Sequence, residues 1–142
     1  MNIRTKAREA ALQALYQMDM ANGTVLVCIS SVCEGLDLTP EAREYGEALF
    51  FGAVDRREEI NRVIEGYSKN WTVERMPVID RNVLRIAVYE LLYCPGVPYR
   101  VVIDEAVELA KRFGSGDSGA FVNGILDSLA KDIATKRVVS AH

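Results

Sequence analysis

Gly116-Asp117-Ser118-Gly119 sets a serine among small residues in the string that surrounds the nucleophile of trypsin-like serine proteases. Attack by that hydroxyl requires a general base, itself held by an orienting carboxylate. The one histidine, His142, is the last residue of the sequence, so no local context places an imidazole against Ser118. The string also lies between two helical segments, whereas that protease architecture is all-β. The better reading is a glycine-rich helix-to-helix loop in which Asp117 or Ser118 caps the next helix. A phosphate-cradling P-loop is unsupported too, because no Gly-Lys-Ser/Thr follows the glycines. Cys28, Cys33 and Cys94 are an odd number without a CxxC pair, which argues against a disulfide scaffold and a Cys/His zinc site. No metal and no cofactor is expected.

Binding chemistry has better candidates. Arg4, Lys6 and Arg8 concentrate positive charge at the head of a chain whose 17 Lys+Arg stand against 20 Asp+Glu, a formal net charge of −3. The overall field is acidic, so any polyanion site must be local. Tyr16 falls two turns further along the same helical pattern, on its polar side, where a ring is out of place unless it stacks on something such as an unpaired base. Phe121 opens the last helical segment just beyond the glycine loop, beside backbone N–H groups that favour phosphate. The plain alternative for these residues is solvated helix ends and rings at the core edge. Arg85, Glu90 and Glu105 interrupt otherwise apolar helices, and charges carried into a core must be paired. With no histidine, metal motif or cofactor loop beside them, an interhelical salt bridge is preferred to an acid/base pair.

The elements that must position these groups are helical throughout. At 142 residues, with 49% hydrophobic and 26% charged residues and only 10 Gly and 4 Pro, the chain is one ordinary globular domain rather than a disordered or fibrous one. No apolar run approaches the roughly 18 residues of a membrane span, and charges interrupt the first thirty residues, which excludes a secretory signal. A cytoplasmic protein with buried, reduced thiols is expected. Ala7, Ala11, Leu15 and Met18 mark one helical stripe, ended by Asn22-Gly23. Thr24–Cys33 is rich in β-branched residues but is read as a helix, since no second strand is available to pair with it. Thr39-Pro40-Glu41 is a helix start, and the apolar pattern that follows is long enough for two helices meeting near Asp55–Arg57. Trp71–Pro77 is a connector. Val83 to Leu92 is apolar nearly all round and belongs at the centre of a bundle. Cys94–Pro98 stops and restarts the chain, a helix through Val102, Ala106, Leu109 and Phe113 closes at Gly114, and a last helix starts near Ser118 and ends in a polar tail after Ala134.

Four blocks then resemble the NusB family of transcription antitermination factors, in that family's order: Ala7–Tyr16 (AREAALQALY), Ile79–Leu91 (IDRNVLRIAVYEL), Val97–Lys111 (VPYRVVIDEAVELAK) and Asp117–Asp127 (DSGAFVNGILD). Across Thr24–Asn70 only the helical pattern agrees. The resemblance implies an all-α bundle of about seven helices in two subdomains, a single domain over residues 1–142, and no enzymatic activity. It implies binding of boxA RNA in ribosomal RNA leader transcripts together with NusE, a small-subunit ribosomal protein, and action on the RNA polymerase elongation complex with NusA and NusG. It implies no membrane partner and leaves a homodimer open. By position, the family's basic N-terminus falls on Arg4, Lys6 and Arg8, its RNA-contacting tyrosine on Tyr16, its loop-helix contacts on Asp117 and Phe121, and a further acidic position on Asp80. Arg85 and Glu105 fall on core positions. Two departures stand out: Arg4-Thr5-Lys6-Ala7-Arg8 replaces a run of consecutive arginines, and Ala120 stands where a lysine can occur. Each lost phosphate contact lowers affinity and flattens its salt dependence, so affinity would depend on NusE. The alternative reading is a protein-only helical scaffold or homodimer with weak or lost RNA binding.

Overall fold

Small side chains shape the first helix. The computed structural model describes residues 2–21 and 24–135, and these residues form seven α-helices, one 3-10 turn (Val73–Arg75) and no strand. The helices are α1 (Ile3–Ala21), α2 (Val25–Gly35), α3 (Pro40–Asp55), α4 (Arg57–Tyr67), α5 (Val78–Tyr93), α6 (Tyr99–Phe113) and α7 (Ser118–Ala134). The helix-ending role expected of Asn22-Gly23 and the tail beyond residue 135 lie outside the described residues. The chain divides between Asp55 and Arg56 into two compact units, as the family resemblance implies.

In the first unit α1 packs on both α3 and α2. Ala7, Ala10, Ala11 and Ala14 are wholly buried, and on α3 a Cβ at Gly46 would stand 3.1 Å from the Ala7 carbonyl oxygen. Backbone therefore meets backbone, which only small residues allow. The expected stripe holds at Ala7, Ala11 and Leu15, while Met18 is half-buried. Thr24 caps α2 by accepting from Val27 N–H at 3.4 Å, and Cys28, Ile29, Val32 and Cys33 are buried. The β-branched segment is thus a helix, held by tertiary burial in spite of its propensity. Thr39 caps α3 as read, accepting from Ala42 N–H at 3.2 Å.

The second unit is organised around α5, which touches α4, α6 and α7. Val83, Leu84, Ile86, Ala87, Val88, Leu91 and Leu92 are buried, as an all-round apolar helix requires. Arg85 enters this core fully partnered: its Nη1 donates to Asn82 Oδ1 at 2.8 Å, and its Nε donates to Asn61 Oδ1 on α4 at 3.1 Å. Glu90 is buried on the same helix, and it too has a partner. Tyr67 ties α4 to α7 by donating to Asp132 Oδ2 at 2.6 Å. Among the described residues every buried side-chain nitrogen and oxygen has a hydrogen-bond partner. No helix among them is long and apolar enough to cross a membrane.

Candidate nucleic-acid interface

The glycine loop and the start of α5 meet in the second unit. Ser118, on the first turn of α7, donates its hydroxyl proton to Asp80 Oδ1 on the first turn of α5 at 2.6 Å. The same Ser118 oxygen accepts from Ser115 N–H at 2.9 Å. Both partners are buried, Asp80 with 3% of its surface exposed. Burial pushes the Asp80 carboxyl above its ordinary range, and the Ser118 hydrogen bond counters part of that rise. Ser118 is therefore a clip between two helix starts, its proton committed to a carboxylate. No histidine lies among the described residues to activate it.

Gly114 makes room for this clip. Its φ of −99° and ψ of −160° are open to any residue, so the left-handed conformation expected of a helix-closing glycine is not what selects it. A Cβ there would overlap Ser118 Oγ and stand 2.7 Å from the Ala110 carbonyl oxygen. The position demands absence of volume.

Around the clip, Trp71, Pro77, Asp80, Ser115, Asp117 and Phe121 line a cleft of about 230 Å³. Three of the residues singled out from sequence, Asp80, Asp117 and Phe121, thus come together. Of the two capping candidates, Asp117 occupies the N-cap position of α7 but its side chain makes no capping bond, and Ser118 donates its hydroxyl to Asp80. That carboxylate is exposed, and Phe121 is half-buried. Trp71 is legible in the sequence only as part of a connector, yet it is 49% exposed and lines this cleft. A lone tryptophan in a polar inter-helix segment is the signal that could have singled it out.

The remaining candidates belong to the first unit, on α1. Arg4 and Lys6 are exposed, with the Arg4 guanidinium 4.8 Å from the centroid of the Tyr45 ring. Tyr16 is 40% exposed, in keeping with its place on the polar side. Arg8 departs from the expectation of a solvent-facing phosphate contact. It is only 2% exposed, with its guanidinium 5.9 Å from the same Tyr45 ring. The reason is helical geometry: Arg8 sits between Ala7 and Ala11 on the face that α1 buries, where its long apolar stem packs and its head is partnered.

Among the described residues no group of three or more His, Cys, Asp or Glu side chains could hold a metal ion. Cys28 and Cys33 are buried free thiols, Cys94 is half-buried, and burial pushes the Cys33 thiol up.

The model of the NusB family matches residues 5–131. The chain is 43% identical over 129 residues to the transcription antitermination protein NusB of Desulfatibacillum aliphaticivorans, covering 91% of this chain and 90% of that one. NusB from T. maritima superposes with a TM-score of 0.87 at 37% identity, covering 94% of each chain. A crystal structure of the antitermination factors NusB and NusE in complex with double-stranded RNA includes a chain that superposes at 0.85 and 30% identity, covering 92% of this chain and 98% of that one. With a family model spanning residues 5–131, a relative 43% identical over nine tenths of both chains, and the same helical fold, the chain belongs to the NusB family.

Proposed function

We propose that this protein is a non-enzymatic transcription antitermination factor of the cytoplasm that binds boxA RNA of ribosomal RNA leader transcripts together with NusE. On this reading the complex acts on the RNA polymerase elongation complex with NusA and NusG. The observation that carries it is the convergence of Asp80, Asp117 and Phe121 on one cleft with an exposed Trp71. Separate elements, distant in sequence, present aromatic rings and hydrogen-bond acceptors there, the chemistry that reads unpaired bases. Arg4 and Lys6 supply phosphate contacts and Tyr16 a further ring, while Arg8 supports α1 from within. The relative solved with NusE and double-stranded RNA supports both partners.

The experiment is fluorescence anisotropy of labelled boxA RNA with this protein, with and without NusE, against a scrambled RNA. Specific binding that tightens when NusE is added is expected. Binding by the pair no better than to the scrambled sequence would sink the reading. The burial of Arg8 favours a second one, a protein-only scaffold or homodimer, because it leaves fewer free cations on α1. RNA-independent, salt-insensitive assembly would select it.

A further inference from the structure

Trp71 is the single tryptophan of the chain, and it stands half in water between α4 and the 3-10 turn. An indole offers some 150–250 Å² for burial, so leaving it open forgoes stabilisation unless a ligand covers it. The backbone beneath it is held. Ser68 Oγ donates to the Trp71 carbonyl, Val73 N–H donates to Glu65 Oε2 at 2.8 Å, and Lys69 turns the chain in the left-handed region at φ 60°. The ring is therefore presented from an anchored turn.

Its cleft has a definite chemistry. Phe121 and Pro77 supply further apolar surface, Asp80 and Asp117 supply carboxylates, and among the described residues no lysine or arginine lines it. Two carboxylates repel a phosphate, whereas an uncharged ring bearing N–H groups finds stacking surface and acceptors together. At about 230 Å³ the space is smaller than the roughly 300–1,000 Å³ of drug-sized ligand pockets. It suits one planar group entering from a chain that stays outside.

From this geometry we infer that Trp71 is a stacking platform for one unpaired nucleobase, taken into the cleft that it shares with Phe121 while the phosphates remain outside. The inference rests on the RNA-binding reading proposed above and adds to it the residue that captures a base.

The test uses full-length protein grown with 5-fluorotryptophan, which gives one fluorine resonance because there is one tryptophan. Unlabelled boxA RNA and unlabelled NusE are added separately and together, and RNA binding is followed in parallel by anisotropy. The expected result is a resonance that moves with RNA at the Kd found by anisotropy and stays in place with NusE alone. Trp71→Ala should weaken RNA binding about fivefold to a hundredfold, and Trp71→Phe should retain most of it, both with wild-type urea midpoints. RNA that binds specifically while the resonance stays unmoved would overturn the inference and leave the antitermination reading intact. Movement with NusE alone would overturn it in favour of a protein contact. Absence of any specific RNA binding would overturn both.

Discussion

Ser118 Oγ donates to Asp80 Oδ1 at 2.6 Å across 38 positions of sequence, and this bond joins the first turns of α7 and α5 beneath the cleft. Both side chains are buried, so removing the donor leaves a carboxylate short of a partner. Ser118→Ala is expected to lower stability by about 1–3 kcal/mol, read as a reduced urea midpoint at unchanged slope. It should also weaken RNA binding, since Asp117 and Phe121 flank the freed turn. A variant with the wild-type midpoint would show that the bond contributes nothing net.

Asp80 itself gives stability a pH dependence whose sign follows from its burial. Its folded pKa lies above the ordinary 3.8, so between those two values the folded protein holds a proton that the unfolded chain has released. The contribution of Asp80 is therefore largest below 3.8 and is lost as pH rises through the folded value. Asp80→Asn removes the titration and keeps an oxygen that can accept from Ser118. The stability of wild type minus that of Asp80→Asn should fall on raising the pH through this window and be flat at neutral pH. A difference that grows with pH would mean that the carboxylate is stabilised, not penalised, by its site.

Gly114→Ala isolates the steric requirement of the loop. Alanine adopts φ −99° and ψ −160° without strain, so the cost comes from overlap with Ser118 Oγ and Cβ and with the Ala110 carbonyl. The expected loss is about 1–3 kcal/mol, typical of forced overpacking. Combined with Ser118→Ala, which vacates the space on one side, the two losses should sum to less than their separate values in a double-mutant cycle. Strict additivity would locate the strain at the Ala110 carbonyl and at Ser118 Cβ, which Ser118→Ala keeps.

Local signals in the sequence account for most of the helices but little of the site. Thr39-Pro40 announces α3, the all-round apolar run from Val83 announces the central α5, and the proline pair around Gly96 separates α5 from α6, because caps and periodicity act within a few residues. The clip between Asp80 and Ser118 was invisible, since it depends on two helix starts meeting in space. Gly114 illustrates the same limit: a glycine after a helix suggests a left-handed cap, and only the neighbour that its Cβ would strike reveals the real constraint. The burial of Arg8 is hidden because charge alone points to solvent, while the position beside Ala7 and Ala11 places it on the buried face. Trp71 goes unmarked in the sequence because a connector has no periodicity to show a ring as out of place.

Asp117 carries an exposed negative charge on a cleft assigned to a polyanion, and it makes no capping bond that would justify the charge structurally. Asp117→Asn keeps an acceptor oxygen and deletes the repulsion toward neighbouring phosphates. At a separation of roughly 7 Å in water the repulsion is about 0.6 kcal/mol, so RNA affinity should rise about threefold at low salt and less at high salt. The check is a salt series of anisotropy titrations on wild type and variant. A loss of affinity at every salt concentration would instead mean that the full carboxylate is needed as an acceptor for a base edge.

The three cations of α1 should separate into two roles. Arg8 is buried beside Tyr45, so Arg8→Ala removes packing and leaves its partners unmatched; a stability loss of about 1–3 kcal/mol is expected. Arg4 and Lys6 are exposed, and their replacement by alanine should change stability by no more than about 0.5–1 kcal/mol, the upper figure covering the Arg4 contact with Tyr45. Each should instead reduce the slope of log affinity against log salt by about 0.7–0.9, the signature of one lost phosphate contact. Thermal melts and salt-dependent RNA titrations on the three variants give both readouts from the same preparations. Should Arg8→Ala melt like wild type and lose a unit of salt slope, its guanidinium must swing out to phosphate in the complex, and the burial seen here would be the resting state of a residue that the RNA draws from the core.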